Sequence, residues 1–499
     1  MSGKPKKKFL IVRADFLLPI TEGTEERIQD GYVLCEEATI KEVGHYTDDI
    51  GQRILQECGD DLQVVGDDIK RITGEQIPRL KAVICPGFVK AHGHDHEATI
   101  IGLCRDVPLV DWLDGVVNPF TRFLQDQHEM LRQKFRRSPN MLAYRKARMD
   151  DIYYGITSNL AHHCNFNKYY VEDLVQANVE AGTKMIIAVG SQDRHYDEKV
   201  LDLPAQIAVD RLDKYKSQFG SAPRTWIIPG PDQVFSNSEE ILTLQKNWAK
   251  ENGTLIHIHS AEEYNTTQWF INKYKQTEVE FLDSFGFLDE NTMLAHQVHT
   301  TENDMKILAE RHVKIVHNPL ANTILGSGMP DIIRMLELGI DVAISTDGSG
   351  SSDNQNILAA AKLASQYQRA LHHNARLLPA YQCLEMITRI PAKMLRLNCG
   401  QLKPGLDADI SVIDLTRPNL IPTRKENVVE NIIWASDGSE VRWVVANGVL
   451  VKDNYSFTQI NVEEILSEIS ELQALYLDYI KHVPIIRATG ARADDSKGN

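Results

Sequence analysis

Three histidines, an aspartate and a glutamate occupy the six residues "HGHDHE" at positions 92–97. The motif follows the apolar run "AVICPGFV", whose composition is typical of a buried strand. Side chains two residues apart on a strand point to the same face, so we expect His92 and His94 to face one way. Two imidazoles on one face can bind zinc or iron. The pattern predicts part of a metal site; the simpler alternative is two polar residues at a strand end.

Two later apolar runs end in residues of the same kind. "LIHIHS" carries His257 and His259, and "AISTD" ends at Asp347. Imidazole nitrogens and carboxylate oxygens are common ligands of divalent transition metals. Three sets of candidate ligands at the ends of separate runs favour a metal site over isolated polar residues.

Eight short apolar runs, separated by segments with helical periodicity, would have to position these side chains. The runs begin at Pro86, Gly155, Thr183, Arg224, Gly253, Asn291, Val313 and Ile340. Short runs rich in Val and Ile are typical of buried parallel strands. Eight strand–helix units predict an α/β fold, a (β/α)8 TIM-like barrel with its active site at the carboxyl ends of the strands. In such a barrel the eighth strand closes beside the first, which would bring Asp347 near His92 and His94.

The chain on either side of the eight runs is richer in β segments. The segments before them are "FLIVRADFLLPI", "GYVLCEEATIKEVG", "IKRITGEQI" and "KAVI", and those after them are "ADISVIDL" and "VRWVVANGVLVKDN". We expect both chain ends to form one small β-sandwich domain. Residues 1–85 and 397–459 would build that domain, and residues 86–396 would build the barrel.

Residues 460–499 would form a C-terminal helix and a tail. The segment 461–483 is amphipathic, with Asn461 as a helix cap and Glu464 completing a capping box. Its apolar stripe predicts packing on the barrel or on a partner subunit, and we expect a homodimer or a higher homo-oligomer. The final segment "RATGARADDSKGN" is expected to be disordered.

The composition narrows the class of partner. A net charge of −15 over 499 residues argues against nucleic acid or an anionic membrane, and the basic run Lys4–Lys8 is short. Apolar stretches stay well below the roughly 20 residues that a membrane span needs. The seven cysteines are odd in number and form no CxxC pair, which predicts reduced thiols in the cytoplasm. We therefore expect a cytoplasmic protein that acts on a small molecule.

The motifs, in this order, resemble the amidohydrolase superfamily. The matching stretches are "PGFVKAHGH", "HIHSAEE", "LAHQVH", "HNPLAN", "STDGSGSSDN" and "GQLKPGLDADISVIDL". The stretches "DHEATIIGLCRD" and "DVPLVDWL" are similar to the loop after the first strand in one branch of that superfamily. That branch holds adenosine-type, guanine and oxoguanine deaminases and triazine hydrolases. The resemblance implies a metal-dependent hydrolase built on a TIM-like barrel.

The resemblance also implies roles for individual residues. The metal ligands would be His92, His94, His259 and Asp347. Glu262, three residues after His259, matches the glutamate that carries protons. His296 would contact the attacking water or the substrate, and with Asp347 it would orient that water and accept its proton. The remaining members of these motifs, His96, Glu97 and His257, would be supporting or loop residues.

The resemblance to this superfamily also bears on the number of metal ions. Two-metal members carry a carboxylated lysine at the end of strand four, but the fourth run, "RTWIIPGPD", has no lysine there. Lys184 opens the third run and so lies at the other end of its strand. We expect one divalent metal ion per chain, Zn²⁺, with Fe²⁺ as the alternative. The ion would lower the pKa of a water towards about 7, hydroxide would add to a ring carbon, and Glu262 would protonate a ring nitrogen before ammonia leaves.

The predicted function is a hydrolytic deaminase (aminohydrolase) acting on an aminated purine, pterin, pyrimidine or triazine. The same site could instead expel an alkylamine or a halide or open a cyclic amide. A non-enzymatic assembly protein would have lost ligands that this chain retains. Asp232, in "GPDQV", stands where adenosine-type members carry a histidine, which predicts a donor-rich substrate rather than a nucleoside; alternatively Asp232 caps the next helix. Trp112 and His163 are the other candidate substrate-binding residues.

Overall fold

The computed structural model describes residues 7–103 and 105–483. Cys104, most of the basic run at Lys4–Lys8 and the predicted tail therefore lie outside the described residues. The strands are β1 (Phe9–Leu17), β2 (Ile28–Glu36), β3 (Thr39–His45), β4 (Leu62–Val64), β5 (Leu80–Pro86), β6 (Phe88–Lys90), β7 (Ile156–His163), β8 (Lys184–Ser191), β9 (Thr225–Pro231), β10 (Ile256–Ser260), β11 (Thr292–His296), β12 (Lys314–His317), β13 (Val342–Ile344), β14 (Ile410–Asp414), β15 (Val441–Ala446), β16 (Val449–Asp453) and β17 (Ser456–Phe457).

Helices follow most of the strands in the middle of the chain. They are α1 (Asp48–Cys58), α2 (Asp67–Thr73), α3 (Leu109–Trp112), α4 (Asn118–Asp126), α5 (His128–Phe135), α6 (Pro139–Tyr153), α7 (Val171–Ala181), α8 (Gln206–Phe219), α9 (Glu239–Asn252), α10 (Tyr264–Tyr274), α11 (Glu278–Ser284), α12 (Glu302–Glu310), α13 (Pro319–Ile324), α14 (Ile332–Glu337), α15 (Ser349–Ser352), α16 (Ile357–Leu371), α17 (Ala380–Glu385), α18 (Arg389–Met394), α19 (Val428–Trp434) and α20 (Val462–Tyr479). Capping side chains fix several starts: Ser238 accepts from the backbone of α9, and Thr301 forms a capping box at α12.

Each of the eight predicted runs contains a parallel strand. The strands form two four-stranded sheets, with the orders β6-β7-β8-β9 and β10-β11-β12-β13. Strands that follow each other along the chain lie side by side in the sheets and run parallel. The connection between two such strands therefore passes through a helical segment, as the alternation of apolar runs and helical segments predicts. The prediction of an α/β fold with parallel sheets is therefore confirmed.

The two sheets adjoin each other at both edges. Between β9 and β10, the His259 amide donates to the Asp232 carbonyl at 3.1 Å, beside a bridge between Gln233 and His259. Beyond β13 and β6, the Ser345 hydroxyl accepts from the His92 amide at 3.2 Å and donates to the His92 carbonyl at 2.7 Å. Buried side chains from seven of these strands, and Leu255 directly before β10, share one hydrophobic cluster: Val89, Leu160, Ile186, Ile228, Leu255, Met293, Val316 and Ala343.

The two chain ends build a separate nine-stranded sheet. Its order is β17-β16-β15-β14-β5-β1-β2-β3, and β4 pairs with β1. The junction between the ends is β14, which runs antiparallel to β5 from Ile410 opposite Pro86 to Asp414 opposite Ala82. Joining of the two flanks in one sheet follows the expectation from the sequence, whereas the β-sandwich arrangement stays a prediction.

One flanking segment is not the β segment that the sequence suggested. "IKRITGEQI", residues 69–77, begins inside helix α2. Asp67 and Asp68 occupy the first turn of that helix, where acidic side chains are favoured, and Gly74 ends it in a left-handed conformation with φ 72°. These end signals outweigh the β-branched content of a short, exposed segment.

The C-terminal helix α20 packs on its own chain. Ile465, Leu472 and Tyr476 are buried, and Arg145 pairs with Glu464 at 3.1 Å. Asn461 caps the helix through the Glu464 amide, but the Glu464 carboxylate contacts arginines instead of completing the expected capping box. Within residues 7–103 and 105–483, no helix is long and apolar enough to cross a membrane.

Candidate metal centre and active site

The candidate ligands converge at the carboxyl ends of the strands. His92 and His94 lie just beyond β6, His259 lies in β10, and Asp347 follows β13. Asp347 Oδ1 is 3.2 Å from His92 Nε2 and 3.5 Å from His94 Nε2. His94 Nε2 is in turn 3.1 Å from His259 Nε2. A Cβ atom at Gly93 would come within 3.0 Å of the Asp347 carbonyl, so glycine permits this close approach.

The hydrogen bonds behind His94 and His259 define which nitrogen carries the proton. His94 Nδ1 donates to the His162 carbonyl at 3.1 Å, and His259 Nδ1 donates to the Asp232 carbonyl at 2.6 Å. A carbonyl only accepts, so each Nδ1 carries a proton, and Nε2 is the nitrogen that each ring can offer to a metal ion. Burial lowers the pKa of His94 well below its ordinary value. Two lone pairs that face each other across 3.1 Å repel unless a cation lies between them.

The ring of His92 is oriented through a second histidine. His257 Nδ1 donates to the Met293 carbonyl at 3.1 Å, and burial lowers the pKa of His257 to about 3. The ring is therefore neutral, and its Nε2 accepts from His92 Nδ1 at 2.7 Å. This leaves His92 Nε2 as a buried lone pair with no hydrogen-bond partner within residues 7–103 and 105–483. His257 thus fixes the tautomer of a ligand, as outer partners of metal-bound histidines commonly do.

These four side chains fit a divalent transition metal. They present three imidazole nitrogens and one carboxylate oxygen, a donor set that suits zinc. The unpaired Nε2 of His92 and the facing Nε2 atoms of His94 and His259 all point to a shared cation.

Glu262 and His296 lie beside the ligands. Glu262 Oε2 is 3.6 Å from His296 Nε2, which is 3.9 Å from Asp347 Oδ2. Burial raises the pKa of Glu262 to about 8, and the negative charge of Asp347 also acts in that direction. The Nδ1 atom of His296 lies 2.8 Å from Asn322 Oδ1, which orients the ring. A buried carboxyl group that retains its proton near neutral pH can act as a general acid.

Two of these residues have unusual backbone conformations. His296 has φ 75° and Asp347 has φ 66°, in the left-handed region that side chains with a Cβ rarely adopt. Each residue ends or follows a strand, at the point where its side chain turns towards the centre. Such conformations cluster at functional sites, so they support a functional assignment of both residues.

This centre lies in a cavity of about 430 Å³, a volume that includes the opening to solvent. The polar and aromatic residues that line it include His94, His96, Glu97, Trp112, Cys164, Asn165, Tyr196, Asp232, Gln233, His259, Glu262, His296 and Asp347. Two of the three predicted substrate residues, Trp112 and Asp232, are therefore on its wall. His163 is not among the described lining residues, because its Nε2 faces the hydroxyl of Tyr144 instead.

Asp232 is positioned to contact a substrate. It follows β9, only 3% of its surface is exposed, and its Oδ2 has no hydrogen-bond partner among the described residues. Ser238, not Asp232, caps α9. Burial, and after it the charge of Asp232, raises the pKa of Cys164 and of Tyr196. Neither of these two neighbours lies in a metal-ligand motif, so sequence patterns do not identify them.

The other acidic residues of the first motif have structural partners. Asp95 Oδ2 pairs with Arg148 at 2.7 Å, and Asp95 Oδ1 accepts from Asn159 at 3.1 Å. Glu97 Oε2 accepts from the Ser351 amide at 2.9 Å. Asp95 and Glu97 therefore connect the ligand loop to α6, β7 and α15.

Comparison with known proteins agrees with this geometry. The profile of the amidohydrolase family matches residues 83–451. The chain belongs to the amidohydrolase family. Membership confirms the prediction made from the motifs, and it confirms an enzyme that hydrolyses carbon–nitrogen bonds.

The most similar relatives include two deaminases. A 5-methylthioadenosine/S-adenosylhomocysteine deaminase of Thermococcus sibiricus is 30% identical over 390 residues, 78% of this chain and 87% of the relative. A 5'-deoxyadenosine deaminase of Methanosphaera stadtmanae is 30% identical over 410 residues, 82% of this chain and 90% of the relative. An adenosine deaminase from Xanthomonas campestris, solved with bound zinc, shares the fold with a TM-score of 0.79 at 19% identity, covering 95% of this chain and 99% of that one. The prediction of hydrolytic deamination of an N-heterocycle is thereby confirmed.

Proposed function

We propose that this amidohydrolase is a mononuclear zinc enzyme that deaminates an aminated N-heterocycle in the cavity between Trp112 and Asp347. The observation that carries the proposal is the pair of facing Nε2 atoms of His94 and His259, 3.1 Å apart, beside the buried carboxyl group of Glu262. We also propose that the two four-stranded sheets close into one eight-stranded barrel, because hydrogen bonds join them at both edges.

His92, His94, His259 and Asp347 would hold the cation. A bound Zn²⁺ would supply a Lewis acid that lowers the pKa of water at this place. A single ion is favoured because the carboxyl end of β9 carries Asp232 rather than a lysine. Lys184, at the start of β8, pairs instead with Asp409 near the flanking sheet. Metal content of protein purified without chelator tests the number: one equivalent per chain at full activity supports the proposal, and two contradict it.

The protein's own groups account for the movement of protons. Glu262, protonated near neutral pH, donates to a ring nitrogen of the substrate and so makes the adjacent carbon more electrophilic. His296 and Asp347 lie on the same side of the cavity and accept the proton of the attacking water. The proton held by His296 and Asp347 then passes to the amino group by way of the ionised Glu262, and Glu262 recovers its proton from the hydroxyl group added to the ring, so ammonia leaves as a neutral molecule. The His296 Nε2 atom lies 3.6 Å from Glu262 Oε2 and 3.9 Å from Asp347 Oδ2, so the three side chains form a continuous row.

Asp232, on the cavity wall beside His259, indicates the substrate class. The two relatives are named for adenosine-type nucleosides, whose reacting ring carries an exocyclic amine. Asp232 Oδ2 is a buried acceptor that no described residue pairs with, so it can accept from a ring N–H or a second amino group of the bound molecule. The proposed substrate is therefore an aminated six-membered ring that has a further hydrogen-bond donor on its edge.

A panel of substrates tests this function. Ammonia release is measured for purines, pterins, pyrimidines and triazines, each with and without a sugar or alkyl substituent. The Glu262→Gln variant, loaded with the same metal, reports release that does not depend on the site. We expect one class of aminated ring to be converted by the wild type only. Release of chloride or alkylamine in place of ammonia would favour the alternative hydrolase, and no conversion of any ring would contradict the proposal.

A further inference from the structure

A second group of metal-ligand side chains adjoins the centre already described. One atom each from His94, His96 and Cys164 lie within 4.8 Å of one another, and so do one atom each from His162, Cys164 and Asp232. Cys164 Sγ is common to the two groups. All five residues are buried.

Several ligand atoms around this thiol have no hydrogen-bond partner in the part of the chain that the structure describes. Both ring nitrogens of His96 are unpaired, although the side chain is completely buried. His162 Nδ1 and Asp232 Oδ2 are buried and unpaired as well. Buried polar atoms in folded proteins are nearly always paired, so unpaired atoms on three residues around one sulfur indicate a ligand that the side chains alone do not provide.

We propose that Cys164, His162 and Asp232 together hold a second cation, with His96 next to the thiol on its other side. Thiolate, imidazole and carboxylate are the ligands that zinc prefers, and the sulfur favours a soft cation such as Zn²⁺ or Cd²⁺ over Mg²⁺ or Ca²⁺. On binding, the Cys164 sulfur exchanges its proton, which passes to solvent, for the cation.

The second cation site lies in the same cavity as the proposed substrate, so a bound cation would affect activity. His96, Cys164 and Asp232 line the cavity that also contains Glu262 and His296. A cation on Cys164 would take the Asp232 oxygen and part of the volume assigned above to the substrate. The site is therefore inhibitory, and a second equivalent of soft metal competes with the substrate. This consequence rests on the proposed function, whereas binding of the cation does not.

Binding is tested with Cd²⁺ on protein that already holds its first metal equivalent. The ultraviolet charge-transfer band of a Cd²⁺–thiolate bond is specific here, since the first ligand set contains no cysteine. Wild type should bind one further equivalent with this band. Cys164→Ser should lose the band and weaken binding by more than the about 10- to 100-fold that loss of an outer partner costs. The matched control Cys399→Ser removes a buried thiol that lies outside the cavity, beside Ser158, and should bind like wild type.

A second variant and a kinetic measurement complete the test. His162→Gln leaves every cysteine in place and should also weaken Cd²⁺ binding, which separates loss of a ligand from misfolding of Cys164→Ser. With a substrate in hand, added Cd²⁺ should raise KM without changing kcat. Absence of the band in wild type, or an equal band in Cys164→Ser, overturns the site; activation by Cd²⁺ overturns its inhibitory role. If no ring is deaminated the proposed function fails, and the absorbance titration still decides whether the cation binds.

Discussion

Glu262 Oε2 lies 3.6 Å from His296 Nε2, and both side chains are buried on the wall of one cavity. His296 Nε2 has no hydrogen-bond partner among the described residues. A carboxyl group and an imidazole at this separation leave room for one reacting group that contacts both. The pair therefore marks the place where protons enter and leave the substrate.

Replacement of Glu262 by glutamine tests this role. The amide has nearly the same shape but cannot exchange a proton, so kcat should fall by about 10²- to 10⁴-fold while metal content stays unchanged. Glu263→Gln is the matched control, since Glu263 caps α10 through the amides of Asn265 and Thr266 and does not line the cavity. Turnover of Glu262→Gln within a factor of a few of wild type would contradict proton transfer by Glu262.

The pH dependence of the reaction follows from the same carboxyl group. Burial raises the pKa of Glu262 to about 8, so the proton is present at neutral pH and is lost as the pH rises. A bound cation favours the ionised carboxylate and lowers that pKa, which places the loss of activity at or below about pH 8. We expect kcat/KM to decline on this alkaline side. The Glu262→Gln variant should lack the decline in its residual activity; an identical alkaline limb in both proteins would assign it to another group.

The hydrogen bond between His92 and His257 predicts an effect on metal affinity. His257→Phe removes the acceptor for His92 Nδ1, which frees the ring to rotate and to change tautomer, so metal affinity should fall by about 10- to 100-fold. His257→Gln retains an oxygen that can accept the same proton and should lose less. Competition with a chelator measures both variants. Equal affinities of His257→Phe and wild type would show that the His92 ring is held by other contacts.

Much of the fold follows from patterns that are local in sequence. The apolar runs that end in His259 and Asp347 form buried parallel strands, and the ends of those strands determine where the ligands lie. The helix α2 was missed because its end signals, Asp67 and Gly74, compete with a β-like composition in an exposed segment. Local pattern also could not predict the contact of the His163 side chain, because its partner Tyr144 belongs to the preceding helix α6.

The contacts that select a substrate depend on tertiary structure in the same way. Cys164 and Tyr196 lie on loops after different strands, and only folding places both beside Asp232. The partners of Asp95 and Glu97 could not be predicted from the motif either, because Arg148 and Ser351 belong to α6 and α15. Motif spacing identifies ligands, whereas the partners of those ligands come from distant parts of the chain.

Self-association is expected through the exposed side of α20. Ile465 and Leu472 are buried against the same chain, but Leu466 and Leu477 remain 45% and 37% exposed. We expect the 56.4 kDa chain to form a homodimer that covers them. Light scattering should give twice the chain mass, and the double variant Leu466→Asp with Leu477→Asp should give the monomer mass. Leu371→Asp, at an equally exposed leucine on α16, is the control; a monomeric wild type at micromolar concentration contradicts the expectation.

Removal of the Asp232 carboxylate should weaken recognition of the substrate. Its Oδ2 is a buried acceptor on the cavity wall, and its loss would leave a donor of the bound ring unpaired, at a cost of about 1–3 kcal/mol. Asp232→Ala should therefore lower kcat/KM by about 5- to 150-fold, with one equivalent of the first metal retained. Asp232→Asn keeps an acceptor oxygen and should lose less on a substrate with a neutral donor. Unchanged kcat/KM for Asp232→Ala on the ring that the panel identifies would assign recognition to another wall residue, with Trp112, whose indole Nε1 is also unpaired, as the next to test.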